Sequence, residues 1–158
     1  MTTTLAAATL TVTLTEAISL NGYDQGSKNT LSIDSVTEVS KRIVTVTTTE
    51  ATIATFSAAV AAGNYIAANV RYVRFTNKDD TNFITLTFRN QDNDEFAVKL
   101  DYGQSFMLTG DNVNGMTAIF NATQDADAAS SANFGSLTNI QADADTGSCD
   151  LEMFIASA

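Results

Sequence analysis

Three aspartates near the carboxyl end have the spacing closest to that of a metal-binding loop. Asp143 and Asp145 belong to a D-x-D-x-G segment that ends at Gly147, and Asp150 follows three residues later. Ca²⁺ prefers hard oxygen ligands presented by a loop, and carboxylates supply them. The segment lacks the ligand spacing of an EF-hand and the bidentate glutamate that closes one. The sequence therefore suggests a calcium site at Asp143, Asp145 and Asp150, with solvated turn residues as the alternative.

Paired carboxylates are a second source of possible chemistry, because glycoside hydrolysis needs two acids placed across the scissile bond. One candidate pair is Asp79 with Asp80, and a second group consists of Asp92, Asp94 and Glu95. They lie among Asn and Thr, where Asp favours turns by bonding to its own backbone. The chain contains neither Trp nor His. The absence of His excludes Ser–His–Asp triads, Cys–His dyads and histidine-ligated metals, so the sequence predicts no enzyme and no cofactor.

Three arginines are candidates for a different kind of site, the anchors of a protein interface. Arg71, Arg74 and Arg89 lie in predicted strands of a chain that has 8 basic and 18 acidic residues. Arginine is enriched at protein interfaces. Charged side chains on strands also protect sheet edges from unwanted pairing. The sequence leaves both roles open for these three residues.

The single cysteine, Cys149, has no partner for an intrachain disulfide. It falls on the apolar face of the last predicted strand. Free cysteine is among the residues most often buried, and a catalytic thiol usually needs a histidine. We therefore predict that Cys149 is a small buried hydrophobic residue.

The net charge of −10 limits the possible partners. Non-specific nucleic-acid binding needs Lys and Arg to displace counterions, and anionic membranes attract the same residues. The amino-terminal residues include no basic side chain, unlike a secretory signal peptide. The uncharged run from Ala51 to Val70 contains Gly63 and two Asn, which is not typical of a membrane span. We expect neither a nucleic-acid nor a membrane partner.

The elements that position these residues are predicted to be β-strands. In "TLTVTLT", Leu10, Val12 and Leu14 share one face and threonines occupy the other, as in a half-buried strand. Such segments recur about every ten residues, giving about 8–10 short strands, as in a sandwich or barrel. The segment "SAAVAAGNYIAAN" predicts either one short helix or an irregular connection, because Ala favours helix but Gly63–Asn64 interrupts it. We predict an all-β fold, an antiparallel β-sandwich or jelly-roll-like barrel, in a single domain over residues 1–158.

Four local features follow from the same patterns. "FITLTFRN" and "FAVKL" predict a hairpin with Ile84, Leu86 and Phe88 on one face. The turn after Leu100 is predicted to join two strands of a sheet. Residues 123–136 predict an exposed loop that is long for a compact domain. Residues 1–20 predict an edge strand or a strand exchanged with a neighbouring chain, with an ordinary internal strand as the alternative.

The middle of the chain, "VRYVRFTNKDDTNFITLTFRNQDNDEFAVKLDYGQSFML", resembles the sheet core of small accessory virion proteins of tailed bacteriophages. The matching positions are Asn77, Phe96, Val98, Leu100, Gly103, Ser105, Phe106 and Leu108. The ending "CDLEMFIASA" is similar to the final strand of such proteins. The resemblance covers about a third of the chain. Its departures are "DYG" where a Pro–Gly turn is common, and a first half without a match.

The resemblance implies a structural virion component without enzymatic activity, synthesised in the host cytoplasm. Within that class it implies a capsid decoration, or cement, protein, which is typically a homo-oligomer and often a trimer. The implied partner is the major capsid protein or another virion protein. The negative charge independently favours the outer surface, because a protein lining a DNA-filled interior would face phosphate repulsion.

Two other functions stay open at the level of sequence. One is a tail or neck accessory protein of the virion. The other is a carbohydrate- or calcium-binding β-sandwich module, whose metal would be held by Asp143, Asp145 and Asp150.

Overall fold

The computed structural model describes residues 5–117, 119–120 and 135–158. Within these ranges nearly all regular structure is β-strand, and the single helical element is a 3₁₀ turn at Ala67–Asn69. The predicted all-β class is therefore confirmed. The predicted loop at residues 123–136 lies almost wholly outside the described residues.

Thirteen strands occur in the described part of the chain, of which two contain only two residues each. In chain order they are β1 (Ala8–Glu16), β2 (Ser19–Leu20), β3 (Tyr23–Asp24), β4 (Ser27–Val36), β5 (Glu38–Val46), β6 (Ala51–Ser57), β7 (Asn64–Ile66), β8 (Val70–Asn77), β9 (Ile84–Asn90), β10 (Glu95–Leu100), β11 (Ser105–Thr109), β12 (Leu137–Ala144) and β13 (Cys149–Ser157).

Two sheets pack face to face and enclose the core. One has five strands in the order β10-β9-β12-β6-β7, and the other has four in the order β11-β8-β13-β5. The pairs are antiparallel except β6 with β7. The largest fully buried side chains come from both sheets. They include Phe75, Val73, Leu151, Met153 and Ile155 from one sheet and Phe88, Ile84, Leu86 and Ile140 from the other.

The alternation of side chains determines which residues form this core. Successive side chains of a strand point to opposite faces of the sheet. In β13, Cys149, Leu151 and Met153 are buried, whereas Asp150 between them is exposed. The same rule buries Ile84, Leu86 and Phe88 in β9. The hairpin predicted for this region is confirmed, because β9 and β10 pair antiparallel with Phe88 opposite Phe96.

The connection from β10 to β11 differs from the prediction. The two strands belong to different sheets, so the turn at Asp101–Gln104 crosses from one layer of the sandwich to the other. Gly103 adopts a φ of 71° there and donates its N–H to the carbonyl of Asn77. Period-two alternation assigns side chains to faces, but it does not say which neighbouring strand supplies the hydrogen bonds.

Hydrogen bonds of the Asn77 side chain stabilise this corner of the sandwich. The residue is fully buried, and its Nδ2 donates to the carbonyls of Asn82 at 2.9 Å and Leu100 at 3.1 Å. Its Oδ1 accepts the N–H of Asp79 at 2.9 Å. The side chain therefore links the end of β8 to the loop before β9 and to the end of β10. A buried amide is stable in this position because both of its polar atoms have partners.

The amino-terminal strands form a separate ribbon, here called the arm and defined as residues 8–36. β1 pairs antiparallel with β4 and with no other named strand, and the two-residue strands β2 and β3 continue the ribbon to its tip. Asn21 and Gly22 at the tip have φ values of 52° and 82°, as in the type I′ turn that two-residue hairpins favour. The segment predicted as a long strand is therefore one half of a hairpin.

Candidate assembly interface

The structure separates the carboxylates predicted to bind calcium. Asp143 lies on β12 and Asp150 on β13, strands of different sheets, and both alternate with buried neighbours. Their side chains therefore point away from the core on opposite sides of the sandwich. Asp145 lies in the turn between these strands and accepts the N–H of Thr146 at 2.6 Å. Among the described residues, no three acidic, cysteine or histidine side chains form a group suited to a metal ion.

The local environments of Asp143 and Asp150 differ. Partial burial and the nearby charge of Glu50 raise the pKa of Asp143. Asp150 instead accepts a hydrogen bond from Thr45 Oγ1 at 3.1 Å. The two carboxylates therefore have separate local contacts.

Two of the predicted interface arginines are engaged by acids of the same chain. Arg74 Nη2 lies 2.5 Å from Glu152 Oε1, and Arg89 forms an ion pair with Glu95. The hydrogen bond from Arg74 lowers the pKa of Glu152. The two arginines lie on the outer faces of different sheets, so the structure does not bring them together.

Arg71 differs, because it lies beside the arm. Its Nη1 donates to the carbonyl of Ala68 at 2.6 Å. It lines a depression with Ile33 of the arm and with Asp111 and Asn112, the residues that follow β11. Of the three predicted arginines, Arg71 is therefore the one placed at the junction between the arm and the sandwich.

Cys149 is buried in β13, as predicted. Burial raises the pKa of its thiol, and the negative charges of Asp79 and Asp145 raise it further. The thiolate is the nucleophilic form of cysteine. Burial and these charges therefore disfavour the thiolate of Cys149 in the folded protein.

The base of the arm packs on the outer side of the four-stranded sheet. Leu10, Val12 and Ile33 of the arm contact a small buried cluster that includes Tyr72 of β8 and Ala156 of β13. Tyr72 and Phe154 meet edge to face, with ring centroids 6.0 Å apart. This second, smaller core attaches the arm to the sandwich.

Farther from the base, the arm is exposed throughout. Every residue from Thr13 to Ser32 is exposed to solvent. Apolar side chains are among them: Leu14, Leu31, Ile18, Leu20 and Tyr23. Leu20 is 60% exposed and Tyr23 is 72% exposed. This part, residues 13–32, is here called the distal arm, and it presents large apolar side chains that nothing in the described part of the chain covers.

The two faces of the ribbon have different chemistry. Leu10, Val12 and Leu14 share a face with Leu31 and Ile33 of the opposite strand. The other face carries Thr11, Thr13, Thr15, Lys28, Thr30 and Ser32. The predicted alternation in β1 is therefore confirmed, with its threonines in solvent.

A groove opens where the apolar face of the arm leaves the sheet. It has a volume of about 230 Å³ and almost wholly apolar walls. Val12, Leu14 and Leu31 of the arm form one wall, and Tyr72 and Met107 contribute to the other. The groove is open to solvent and continues the packing of the arm's base.

The part of the four-stranded sheet that faces outward beyond the arm, here called the outer face, mixes apolar and charged side chains. The residues on it that the arm leaves exposed or partly exposed are Val39, Lys41, Ile43, Thr45, Arg74, Thr76, Ser105, Met107, Asp150 and Glu152. Glu152 lies between Arg74 and Lys41, with its Oε2 at 3.6 Å from Lys41 Nζ. Ile43 is 62% exposed beside this charged row.

The opposite side of the sandwich is polar. Thr85, Thr87 and Arg89 of β9 lie opposite Asp143, Gln141 and Asn139 of β12, respectively. The side-chain oxygens of Asn139 and Gln141 are shielded from solvent and have no hydrogen-bond partner among the described residues. These strands therefore offer no exposed apolar surface comparable with that of the arm.

None of the described residues belongs to a helix with the length and hydrophobicity needed to cross a bilayer.

Comparisons with known proteins identify no family for the chain. No protein-family model and no curated protein matches it. Among solved structures, the chain is similar to one described by the words "Bacillus endospore appendages form a novel family of disulfide-linked pili". That similarity has a TM-score of 0.42 and 12% identity, and covers 77% of this chain and 85% of that chain. Similarity at this level shows neither a shared family nor a shared function.

The sequence patterns did not predict the arm as a separate hairpin. The alternation in β1 indicates an amphipathic strand, but the same pattern fits a strand of the central sandwich. The signal for a hairpin was Asn21–Gly22, a dipeptide that favours a two-residue turn. Pairing across that turn places Leu14 near Leu31 and keeps β1 out of the main sheets.

Proposed function

We propose that the protein is a non-enzymatic structural component that works by assembling with other protein surfaces. The observation that carries this proposal is the arm, a projecting hairpin with uncovered apolar side chains. Monomeric soluble proteins rarely expose contiguous large apolar surface, which more often marks an interaction site.

Within this class, we propose a capsid decoration protein of a tailed bacteriophage. The support is the sequence resemblance in the middle of the chain and the net charge of −10. Of the matching positions, Asn77 and Gly103 meet at the corner of the sandwich, and Phe96, Val98 and Phe106 pack against the core. These positions therefore form a scaffold, and contacts with a shell would involve other surfaces of the sandwich.

Such a protein acts on the equilibrium between the assembled shell and its separated subunits. A protein that binds the assembled shell and not the separated subunits stabilises the shell by mass action. Copies at symmetric sites let individually weak contacts act together. The sandwich holds its own surfaces in a fixed geometry, so little conformational freedom is lost where those surfaces bind.

The direct test is association with particles. Heads are purified from a strain of the phage in which the gene is deleted, and the purified protein is added before sedimentation through a density gradient. We expect saturable binding to tailless heads at a copy number that matches the symmetry of the shell. Binding to isolated tails alone would favour a tail or neck role, and no association with either would refute the virion proposal.

A calcium-binding module is not proposed as a second function. Asp143 and Asp150 point to opposite sides of the sandwich, and no other group of metal-ligating side chains occurs in the described ranges.

A further inference from the structure

The distal arm combines two properties that require a partner surface. A two-stranded ribbon is at best marginally stable alone in water. Leu20 and Tyr23 are nevertheless held opposite each other at its tip, with most of each side chain in solvent. Burial of large apolar side chains is the main favourable term in protein association. A surface that covers the distal arm would therefore both bind it and order it.

The chain already packs the base of its arm on one of its own surfaces. At its base, the ribbon lays its apolar face on the four-stranded sheet, against Tyr72 and Ala156. The same sheet continues past this contact and exposes Val39, Ile43 and Met107, which the arm of its own chain leaves uncovered. A second copy offers a surface continuous with the one on which the arm already packs.

Charge favours a second copy at this place. Each chain carries a net charge of −10, so two copies repel one another over most of their surfaces. The outer face carries two basic residues, Lys41 and Arg74, and two acidic residues, Asp150 and Glu152. The distal arm adds Glu16, Asp24 and Lys28. The two surfaces are thus close to neutral, and their contact avoids the repulsion that acts elsewhere.

We infer that the distal arm of one copy docks on the outer face of a second copy of this chain. The contact joins different patches of the two copies, and contacts of this heterologous kind close into rings when the rotation between copies allows. A trimer is one such ring. The inference deepens the proposed function by naming the partner of the arm, and it depends on the virion role only for its biological setting.

The test uses the mass of the full chain in solution and matched substitutions. Light scattering after size exclusion is measured for the natural protein, for Leu20→Asp in the arm and for Ile43→Asp on the outer face. Thr13→Asp is the control for the arm, because it adds the same charge to the opposite, threonine face of the ribbon, across from Thr30. Thermal melting checks that each variant is folded. We expect a defined oligomer for the natural protein and Thr13→Asp, and monomers for the other two.

Mixing the two disrupted variants makes the test specific for an arm-to-face contact. Leu20→Asp keeps an intact outer face, and Ile43→Asp keeps an intact arm. Their mixture is therefore expected to form a heterodimer, although neither associates alone. A contact between identical patches would not be restored in this way.

Three outcomes overturn the inference. The natural protein is monomeric at all concentrations, the oligomer persists in Leu20→Asp and in Ile43→Asp, or the mixture of these two variants forms no complex. A monomer that binds heads and loses binding in Leu20→Asp would make the shell the partner of the arm. An oligomer that the substitutions disrupt as expected, but that does not bind to phage heads, would refute only the virion role.

Discussion

Asn77 is a buried polar residue whose side chain joins the loop that follows it to the end of β10, which is distant in the chain. Two carbonyl oxygens accept from its Nδ2, and one N–H donates to its Oδ1. Replacing the amide NH₂ with a carboxylate oxygen would place negative charge against both carbonyls. Buried charge without a partner is strongly destabilising.

We predict that Asn77→Asp lowers the free energy of unfolding by about 3 kcal/mol or more at pH 7. The new carboxyl has a folded-state pKa above its unfolded value, so its penalty is smallest below about pH 4 and grows as the pH rises. Urea unfolding at several pH values measures both effects. Asn112→Asp is the control, since residue 112 is exposed. An equal loss of stability in both variants would contradict the role assigned to Asn77.

Asp111 illustrates the opposite case, a carboxylate stabilised by the backbone. Its Oδ1 accepts the N–H groups of Asn114 at 2.7 Å and Val113 at 2.8 Å, and these bonds lower its pKa. The stabilisation it contributes is present above its unfolded pKa of about 4 and is lost as the pH falls through the lower folded value. Hydrogen bonds from the backbone of Asn82 and Thr81 lower the pKa of Asp79 in the same way.

We therefore predict that stability falls between about pH 5 and pH 2, and falls less steeply in Asp111→Asn. The amide keeps an oxygen acceptor for the turn but does not titrate. Asp143 has a raised pKa and acts in the opposite direction, so it reduces the total change without reversing the contribution of Asp111. Unfolding free energies across this range give the slopes. Identical slopes for the natural protein and Asp111→Asn would contradict the assignment.

At the scale of elements, a close approach of backbone segments occurs where β11 ends beside the start of β8. Gly110 donates its N–H to the carbonyl of Arg71 at 2.8 Å. A Cβ at residue 110 would lie 2.3 Å from the carbonyl oxygen of Val70. No side chain fits there without a shift of the backbone, so this glycine determines how the chain leaves the sheet.

We predict that Gly110→Ala lowers the free energy of unfolding by about 2 kcal/mol, the typical effect of forcing atoms into a packed space. Gly147→Ala is the matched control, because its Cβ would lie 3.6 Å from Asn82 Nδ2, an ordinary contact. The control should change stability by less than about 0.5 kcal/mol. Chemical unfolding measures both free energies, and an equal loss of stability in the two variants would contradict the close packing assigned to Gly110.

At the same scale, the sequence predicts well which face of a strand is buried. Alternation located the buried faces of β9, β10 and β13, because a strand that is buried on one face must place apolar residues at every second position. It did not assign strands to sheets. The turn after Leu100 crosses between layers, and nothing local distinguishes such a turn from one within a sheet. The same limitation explains why the sequence grouped Asp143 with Asp150, which the structure places in different sheets.

The corner at Asn77 and the arm were harder to predict. A buried asparagine is recognised only when its partners are known, and Asn82 and Leu100 become neighbours only through the pairing of strands. The arm needs knowledge of the partner of β1, because Leu14 could equally well face the main core. Long-range pairing decides both features, and the Asn21–Gly22 turn indicates a hairpin without indicating where that hairpin packs.

At the scale of the whole molecule, a sandwich of two sheets exposes an arm and an outer face to solvent. The sandwich core and the arm have separate clusters of apolar residues. Substitutions on the exposed distal arm are therefore expected to change assembly without unfolding the sandwich. This separation makes the proposed function testable in particles as well as in solution.

The measurement that tests the central claim most directly is the temperature at which DNA leaves the phage head. Heads that lack the protein are compared with heads saturated by it, in the same buffer. If the protein decorates the assembled shell and binds it preferentially, linkage requires the saturated heads to release DNA at a higher temperature. Release at the same temperature, with the protein bound at full occupancy, would contradict the account.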